Sequence, residues 1–563
     1  MIRKPYFGGN RALDDSKNFS RSEKLAFCSL TFIKGVGEMF FYNGRILTLD
    51  PQTKEADYLE IKGNRITQVG NGKISSKDGI NLEEKTLLPG FFDTHLHMLN
   101  YGLMLKAVNL RDCNSITELI DRVKERVQSE TKGAWIFGRG WDENRYNGIF
   151  PTRDDLDKVA PENPVVLSRV CGHLLVLNSL ALELLGIDES TPVPEGGAID
   201  RDQSGRLSGI FREKAMELVF DRLPKKSLKE VEKALIKAGQ SILSYGITTV
   251  HTDDLAEFDD IEPLFELYRK LWQEGKIPRT HLHIRSKHLD QAKALGLETG
   301  TKLDGITIGA VKIFADGSLG ARTAALLEDY SDAPGEKGIL IYSDEELYQM
   351  VKDAHSADFA VAIHGIGDAA SSQALRVIGQ VQKEDPRPYL RHRLIHAQIL
   401  NDEIMEQMVE YGVIGEIQPI FINTDLHWAE NRVGERIHTS YNWQTMWQKG
   451  IRLTGSSDCP VEPVNPLLGI YSAVTRKDLN GKPEEGWYSK EALSLEQALQ
   501  LFTSCGAYAG GEEGDAGSLT VGKVADLVVL DRPIDRISLD EIKDIKIDMT
   551  IMDGKVVYQR DNK

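Results

Sequence analysis

Cysteine is scarce: there are five in 563 residues, at positions 28, 113, 171, 459 and 505, an odd and scattered set without a C-x-x-C pair. That excludes a disulfide framework or a zinc ribbon as the organising element, and it fits a reducing compartment, so the expected location is the cytoplasm. An excess of positive charge is also missing, since 68 Lys and Arg stand against 85 Asp and Glu, a net charge of −17. Binding a phosphate backbone needs cations concentrated on one face, so no nucleic-acid partner is expected. No apolar run is long enough to span a bilayer, which argues against a membrane partner. Internal repeats and low-complexity tracts are lacking, so a solenoid is excluded too.

What is present is ordinary globular material, 41% hydrophobic and 27% charged, on a chain longer than one core normally supports. One large domain with an appendage is predicted. Residues 1–38 carry little periodic apolar pattern and read as a disordered amino-terminal extension. From Met39 the pattern is that of strands and tight turns. Asn43-Gly44 between Phe40-Phe41-Tyr42 and Arg45–Leu49 predicts a hairpin, because both central positions of a type I′ turn take positive φ. A second hairpin is predicted around Lys62-Gly63-Asn64. At the far end, Ala525–Leu530, Met549–Met552 and Lys555–Tyr558, the last two joined by Asp553-Gly554, are further strands. Neither group buries a sheet face alone, so residues 39–88 and 515–563 are predicted to pair into a small β-sandwich domain.

Between these ends, strand-like runs alternate with helical patterns, which predicts an α/β fold with a parallel sheet. The runs are Phe91–His95, Pro164–Ser168, Ile247–His251, His281–Ile284, Val311–Phe314, Val361–His364, Leu394–His396, Ile414–Ile417 and Leu453–Asp458. These nine are one too many for an eight-stranded barrel. Pro164–Ser168 sits in a turn-rich stretch, so it is assigned to an insertion of about 110–238 after the first strand. Residues 89–514 then form a (β/α)8 TIM-type barrel.

The chemistry gathers where these strands end. His95 and His97 are two apart on an extended chain and face the same side, so both imidazoles can reach one ion. Lys312, His364, His396 and Asp458 close later strands, and in such a barrel all strand C-termini meet on one face. Lys312 as an ammonium would repel a cation. Burial beside Val311, Ile313 and Phe314 favours the neutral amine, which can add CO2 to become an anionic, metal-bridging carbamate. The alternative partner for this lysine is Asp316.

Leu87–His97, Val311–Gly320, Gly455–Val461 and Gly517–Leu530 together resemble the amidohydrolase superfamily and, within it, the amidohydrolase-3 or YtcJ-like family. The likeness covers nearly everything after residue 38. It implies that His95 and His97 hold one metal, that His364 and His396 hold a second, that carboxylated Lys312 bridges them and that Asp458 completes the first site. It implies one or two divalent ions, zinc being the best match to imidazole and carboxylate ligands, with manganese, iron or cobalt allowed. The implied activity is hydrolysis of a non-peptide C–N bond in a small amide-type substrate (an N-substituted formamide, carbamate or cyclic amide) by a metal-bound hydroxide, with Asp458 as the catalytic proton shuttle. Two alternatives are a mononuclear deaminase of a heterocycle and a non-catalytic metal-binding regulatory protein. A homodimer is the default expectation for assembly.

For substrate contact, the insertion offers His173 and Trp141, in Val170-Cys171-Gly172-His173 and Gly138-Arg139-Gly140-Trp141-Asp142. Arg322 offers a charge for an anionic group. Each has a plainer role open to it: packing for Trp141, an ion pair for Arg322. His281 and His283 form a second H-x-H without companion ligands and read as structural. Gly365-Ile366-Gly367-Asp368 lacks the third glycine and the lysine of a nucleotide loop. Cys459 has no activating base predicted beside it, and Trp443 reads as a packing residue.

Overall fold

The computed structural model describes residues 38–72, 79–146, 148–170 and 173–561. The extension up to residue 37, with Cys28, lies outside the described residues, as do Cys171 and Gly172. The described chain divides into two compact units, one spanning Leu103–Ser227 and the other comprising residues up to Gly102 together with Leu228 onward.

In the larger unit, eight parallel strands follow one another in chain order: Phe91–Leu96, Ile247–Thr252, Arg279–Arg285, Ile306–Phe314, Val361–Gly365, Arg393–His396, Ile414–Ile417 and Leu453–Gly455. They form a nearly closed (β/α)8 barrel. First and last strands meet where the Thr94 hydroxyl donates to Gly455 O (3.2 Å) and the Asp458 N–H donates to His95 O (2.8 Å). The strands are buried on both faces, hence their near-continuous apolar runs. The crossover helices show capping signals, such as Ser343 with Glu346 ahead of Asp344–Ser356 and Asn401 ahead of Asp402–Tyr411.

Both chain ends contribute to one mixed sheet in the same unit, in the order Lys555–Gln559, Ile547–Met552, Leu527–Leu530, Thr86–Pro89, Met39–Leu47, Glu55–Lys62 and Arg65–Gly70, with Ile80–Asn81 beside Met39–Leu47. The strands of the two chain ends, predicted to pair, are hydrogen-bonded to each other through Thr86–Pro89 and Leu527–Leu530. The hairpin predicted at Asn43-Gly44 is corrected. Met39–Leu47 runs straight through, and the register against its partner slips between Tyr42 and Ile46. The positive φ of Asn43 (57°) serves a bulge, and a Cβ on Gly44 would lie 2.4 Å from the Leu82 Cβ, so glycine marks a close approach. Turns do form at Gly63 (φ 62°) and at Asp553-Gly554 (φ 53° and 70°).

The unit Leu103–Ser227 carries a six-stranded sheet in which Val165–Arg169 is a central strand. Alternation sorts its side chains onto two cores. Val165, Leu167 and Val176 pack with Trp141, whereas Val166, Leu175 and Leu177 pack with Phe211. The unit ends at Ser227, short of the predicted 238, because Leu228–Ser244 is one uninterrupted amphipathic helix of the larger unit.

Candidate metal centre

The six residues singled out as ligands lie together at the C-terminal ends of the barrel strands. His95 Nε2 and His97 Nε2 are each 3.3 Å from Asp458 Oδ1, Lys312 Nζ is 3.2 Å from His95 Nε2, and His396 Nε2 is 2.9 Å from His364 Nδ1. One ligand atom from each of His95, His396 and Asp458 falls within a 4.8 Å span. All six side chains are buried.

Local backbone fixes this constellation. Asp93, two residues before His95 and on the same face of the strand, accepts the N–H groups of His95 (3.2 Å) and Ser457 (3.1 Å) and the Ser457 hydroxyl (2.5 Å). The His97 N–H donates to Cys459 O (2.8 Å), so the first strand and the Asp458 loop are held edge to edge. His396 (φ 76°) and Asp458 (φ 53°) occupy the left-handed region, an unfavourable conformation for side-chain-bearing residues that concentrates at functional sites. Asp316 does not pair with Lys312. It accepts the N–H groups of Ala325, Ile366 and Gly367 at 2.8–3.1 Å and so ties two loops under His364.

Proton placement follows from these partners. The Gln418 amide NH2 donates to Glu416 O (3.3 Å) and Ser456 Oγ (2.9 Å), so Gln418 Oε1 faces His396 Nδ1 at 2.8 Å and accepts its proton. His364 Nε2 donates to Gly317 O at 3.0 Å. The two remaining nitrogens, His396 Nε2 and His364 Nδ1, therefore present lone pairs to each other at 2.9 Å. Neutral imidazoles gain nothing from that arrangement; a shared cation resolves it. Asp458 Oδ1, fully buried, lies 3.3 Å from both His95 Nε2 and His97 Nε2, so three ligand-type atoms converge on one point. Imidazoles, a carboxylate and an amine able to become one make up a donor set suited to a divalent ion, so the residues fit a metal.

The electrostatics agree. Burial opposes ionisation of Asp458, but the His95 and His97 imidazoles outweigh it and hold the carboxyl well below the usual range. Burial, and then the neighbouring Lys312 charge, bring His95 down to about 3. Burial also lowers the Lys312 ammonium to about 8, against the opposing pull of Asp253, Asp458 and Glu416.

The three residues expected at the substrate fare differently. Trp141 is wholly enclosed in the core of its unit and points its indole N–H at Leu167 O (3.4 Å); it is a packing residue, because a Trp on an inward-facing strand position fills volume. The Arg322 guanidinium is clamped in bidentate fashion by Asp332 (3.1 and 2.9 Å), so its charge is already matched. His173 is exposed and paired with Glu213 at 3.0 Å. His281 and His283 are engaged elsewhere, the first 3.3 Å from Glu512, the second accepting the Ala310 N–H at 3.1 Å.

Sequence inspection passes over a cleft beside His396, lined by Gln398, Gln418, Phe421, Tyr441 and Trp443. The Phe421 ring is nearly parallel to that of His396, with centroids 6.0 Å apart. Behind it Asp425 is buried and accepts from Gln398 Nε2 (2.8 Å) and the Tyr441 hydroxyl (2.9 Å); burial raises its carboxyl to about 7. Only spacing offered a signal for part of this set, since Gln418 follows Glu416 by two.

Comparison with known proteins agrees with this geometry. The model of the amidohydrolase family matches residues 78–558. The chain belongs to the amidohydrolase family. YtcJ of Bacillus subtilis, a protein named as an amidohydrolase, is 34% identical over 530 residues, covering 92% of this chain and 99% of that one. N-substituted formamide deformylase of Arthrobacter pascens is 26% identical over 554 residues, covering 93% and 98%. A crystal structure of an uncharacterized metal-dependent hydrolase from Pyrococcus furiosus superposes with a TM-score of 0.73 at 32% identity, covering 88% of this chain and 99% of that one. As a member of this amidohydrolase family, the chain is an enzyme, a hydrolase acting on carbon–nitrogen bonds. Among the described residues no helix is long and apolar enough to cross a membrane.

Proposed function

We propose that this amidohydrolase cleaves a non-peptide amide-type C–N bond at a centre held by His95, His97, His364, His396, Asp458 and Lys312, the last as its carbamate. The carrying observation is the pair of lone pairs that His364 Nδ1 and His396 Nε2 turn towards each other at 2.9 Å, beside a buried Asp458 oxygen that lies 3.3 Å from both His95 Nε2 and His97 Nε2. A divalent ion bound there lowers the pKa of water towards about 7 and polarises the substrate carbonyl. Asp458, ionised and buried, is suited to take the proton of the attacking water and deliver it to the departing nitrogen, which then leaves as an amine. Lys312, sealed from solvent with a depressed amine, is suited to carboxylation by dissolved CO2. Gln418 fixes the tautomer of His396, and Asp93 holds the His95 and Ser457 backbone in place.

A second reading has one observation in its favour. His95, His396 and Asp458 alone form a compact set for a single ion, as a mononuclear deaminase would require.

Elemental mass spectrometry on protein purified without chelator and with bicarbonate separates the two. About two zinc-like ions per chain support the bridged centre, one favours deamination, and none removes both. Asp458→Asn should abolish release of amine from a panel of formamides, carbamates and cyclic amides while leaving the circular dichroism spectrum unchanged. Retained turnover in that variant removes the proton-shuttle role.

A further inference from the structure

The barrel strand Arg279–Arg285 ends beside Lys312. Arg285 and Lys312 are paired in register on neighbouring parallel strands, so both side chains leave the face that looks into the barrel. Arg285 Nε lies 2.7 Å from Oδ1 of Asp253, the residue that follows the strand Ile247–Thr252. Burial opposes ionisation of Asp253, but the charge of Arg285, and then those of His97 and Lys312, outweigh it and keep the carboxyl below its usual range. The guanidinium carbon of Arg285 is 4.5 Å from the centroid of Phe314, and Lys312 Nζ is 4.8 Å from the same centroid. The Phe314 ring in turn lies 5.1 Å from that of His364. One ring therefore adjoins Arg285 and two of the candidate ligands. Asp253 and Phe314 hold the guanidinium by its inner end. Its terminal nitrogens Nη1 and Nη2 make no hydrogen bond among the described residues and are not sealed from solvent, the side chain being 19% exposed. Arginines on the loops that follow other barrel strands are spent: Arg322 gives Nε and Nη2 to Asp332, Arg432 reaches Asp332 and Gly320 O, and Arg436 donates to Glu328 O and Asp329 O.

A guanidinium held at Nε and stacked on a ring presents its two terminal nitrogens as a planar fork, the pattern that a carboxylate accepts with both oxygens. A neutral carbonyl has one oxygen to offer and leaves the fork half used, and an ammonium is repelled. Unmet donors on a largely enclosed cation are costly, and a ligand carboxylate removes that cost. We infer that Arg285 receives a carboxylate of the substrate, so that the enzyme acts on a small acidic amide, one whose carboxylate lies a short chain away from the scissile bond. Asp253 and Phe314 act as positioning residues for Arg285. That the anchored molecule is an amide rests on the function proposed above; the anion-binding fork does not.

The test compares ligands of one shape that differ only in charge at one end. Succinamic acid with succinamide, and N-formyl-β-alanine with its primary amide, are titrated calorimetrically into the full-length, metal-containing protein, with kcat/KM taken in place of affinity wherever turnover occurs. In at least one pair the acid should be favoured about tenfold or more, the scale of a charge-assisted hydrogen bond. Arg285→Met should abolish that preference, and Arg285→Lys, which keeps a cation opposite Asp253 but has no fork, should reduce it with the metal content unchanged. A preference that survives in Arg285→Met overturns the inference, because the carboxylate is then held elsewhere. Loss of metal in both variants overturns it too, since Arg285 then serves the metal centre itself. Absence of any preference in the wild type, or binding of none of the four ligands, overturns it whether or not Arg285→Met folds. Release of ammonia or formate is scored separately. Acid-selective binding without release leaves the fork standing and removes the amide-hydrolysing function; release indifferent to the carboxylate does the reverse.

Discussion

Two buried histidine groups in the same unit are built on opposite principles. His355 and His392 make a closed chain. The Val361 N–H donates to His392 Nδ1 (3.0 Å), His392 Nε2 then donates to His355 Nδ1 (3.2 Å), and His355 Nε2 donates to Asp385 O (2.7 Å). Every nitrogen has one role, and both rings are neutral. At the strand ends, His364 and His396 are pinned by equally good outer partners, Gly317 O and Gln418 Oε1, yet their inner nitrogens confront each other. Outer satisfaction with inner conflict distinguishes a ligand pair from a structural pair, although both are simply buried histidines by composition.

The largest expected effect separates the two groups by metal. The double variant His364→Ala, His396→Ala should lose at least half of the bound metal and reduce hydrolysis by about a thousandfold or more, the scale on which removal of key catalytic groups acts. His392→Leu should leave metal content unchanged; elemental analysis of both proteins decides, and equal losses would erase the distinction.

Stability should reverse the order. His392→Leu orphans the Val361 N–H and His355 Nδ1 and should cost about 1–3 kcal/mol in urea unfolding. A smaller, graded effect comes from pH. Burial, with the neighbouring His355, lowers His392 to about 3 in the folded protein, while the unfolded side chain titrates near 6.5. The unfolded state therefore binds the extra proton between these values. This contribution is fully present above pH 6.5 and declines as pH falls towards about 3, by roughly 1.4 kcal/mol per pH unit. Unfolding free energies at pH 7 and pH 5 should show a smaller difference in His392→Leu than in wild type. The smallest effect belongs to His364→Ala in chelator-treated protein: relieving the facing lone pairs should offset the lost packing to within about 1 kcal/mol. A loss of several kcal/mol there would mean that the pair is structural after all.

Much of the larger unit was legible because two simple periodicities carry it. Apolar runs of strand length separated by helical patterns locate the eight barrel strands, and a metal-ligand residue at the end of five of them marks the face where they meet. The residues that went unread are those whose role depends on what lies behind them. Gln398 looks like any polar loop residue until the fold buries it beside Asp425 and Tyr441. Trp141 looks like a substrate platform until the core closes around it. Asn43-Gly44 has the composition of a turn, and only the Leu82 side chain, nearly forty positions away, shows that the strand continues past it. Local propensity cannot carry such long-range information.

The sheet shared by both chain ends sets an order of assembly. Thr86–Pro89 lies between Met39–Leu47 and Leu527–Leu530, and the first barrel strand starts at Phe91, immediately beyond it. On the ribosome that strand emerges early, yet its neighbour Leu527–Leu530 is made more than four hundred residues later. Until then the stretch leading into His95 and His97 has one open flank, so the nascent enzyme waits on its last strands for a finished anchor beneath its first two ligands.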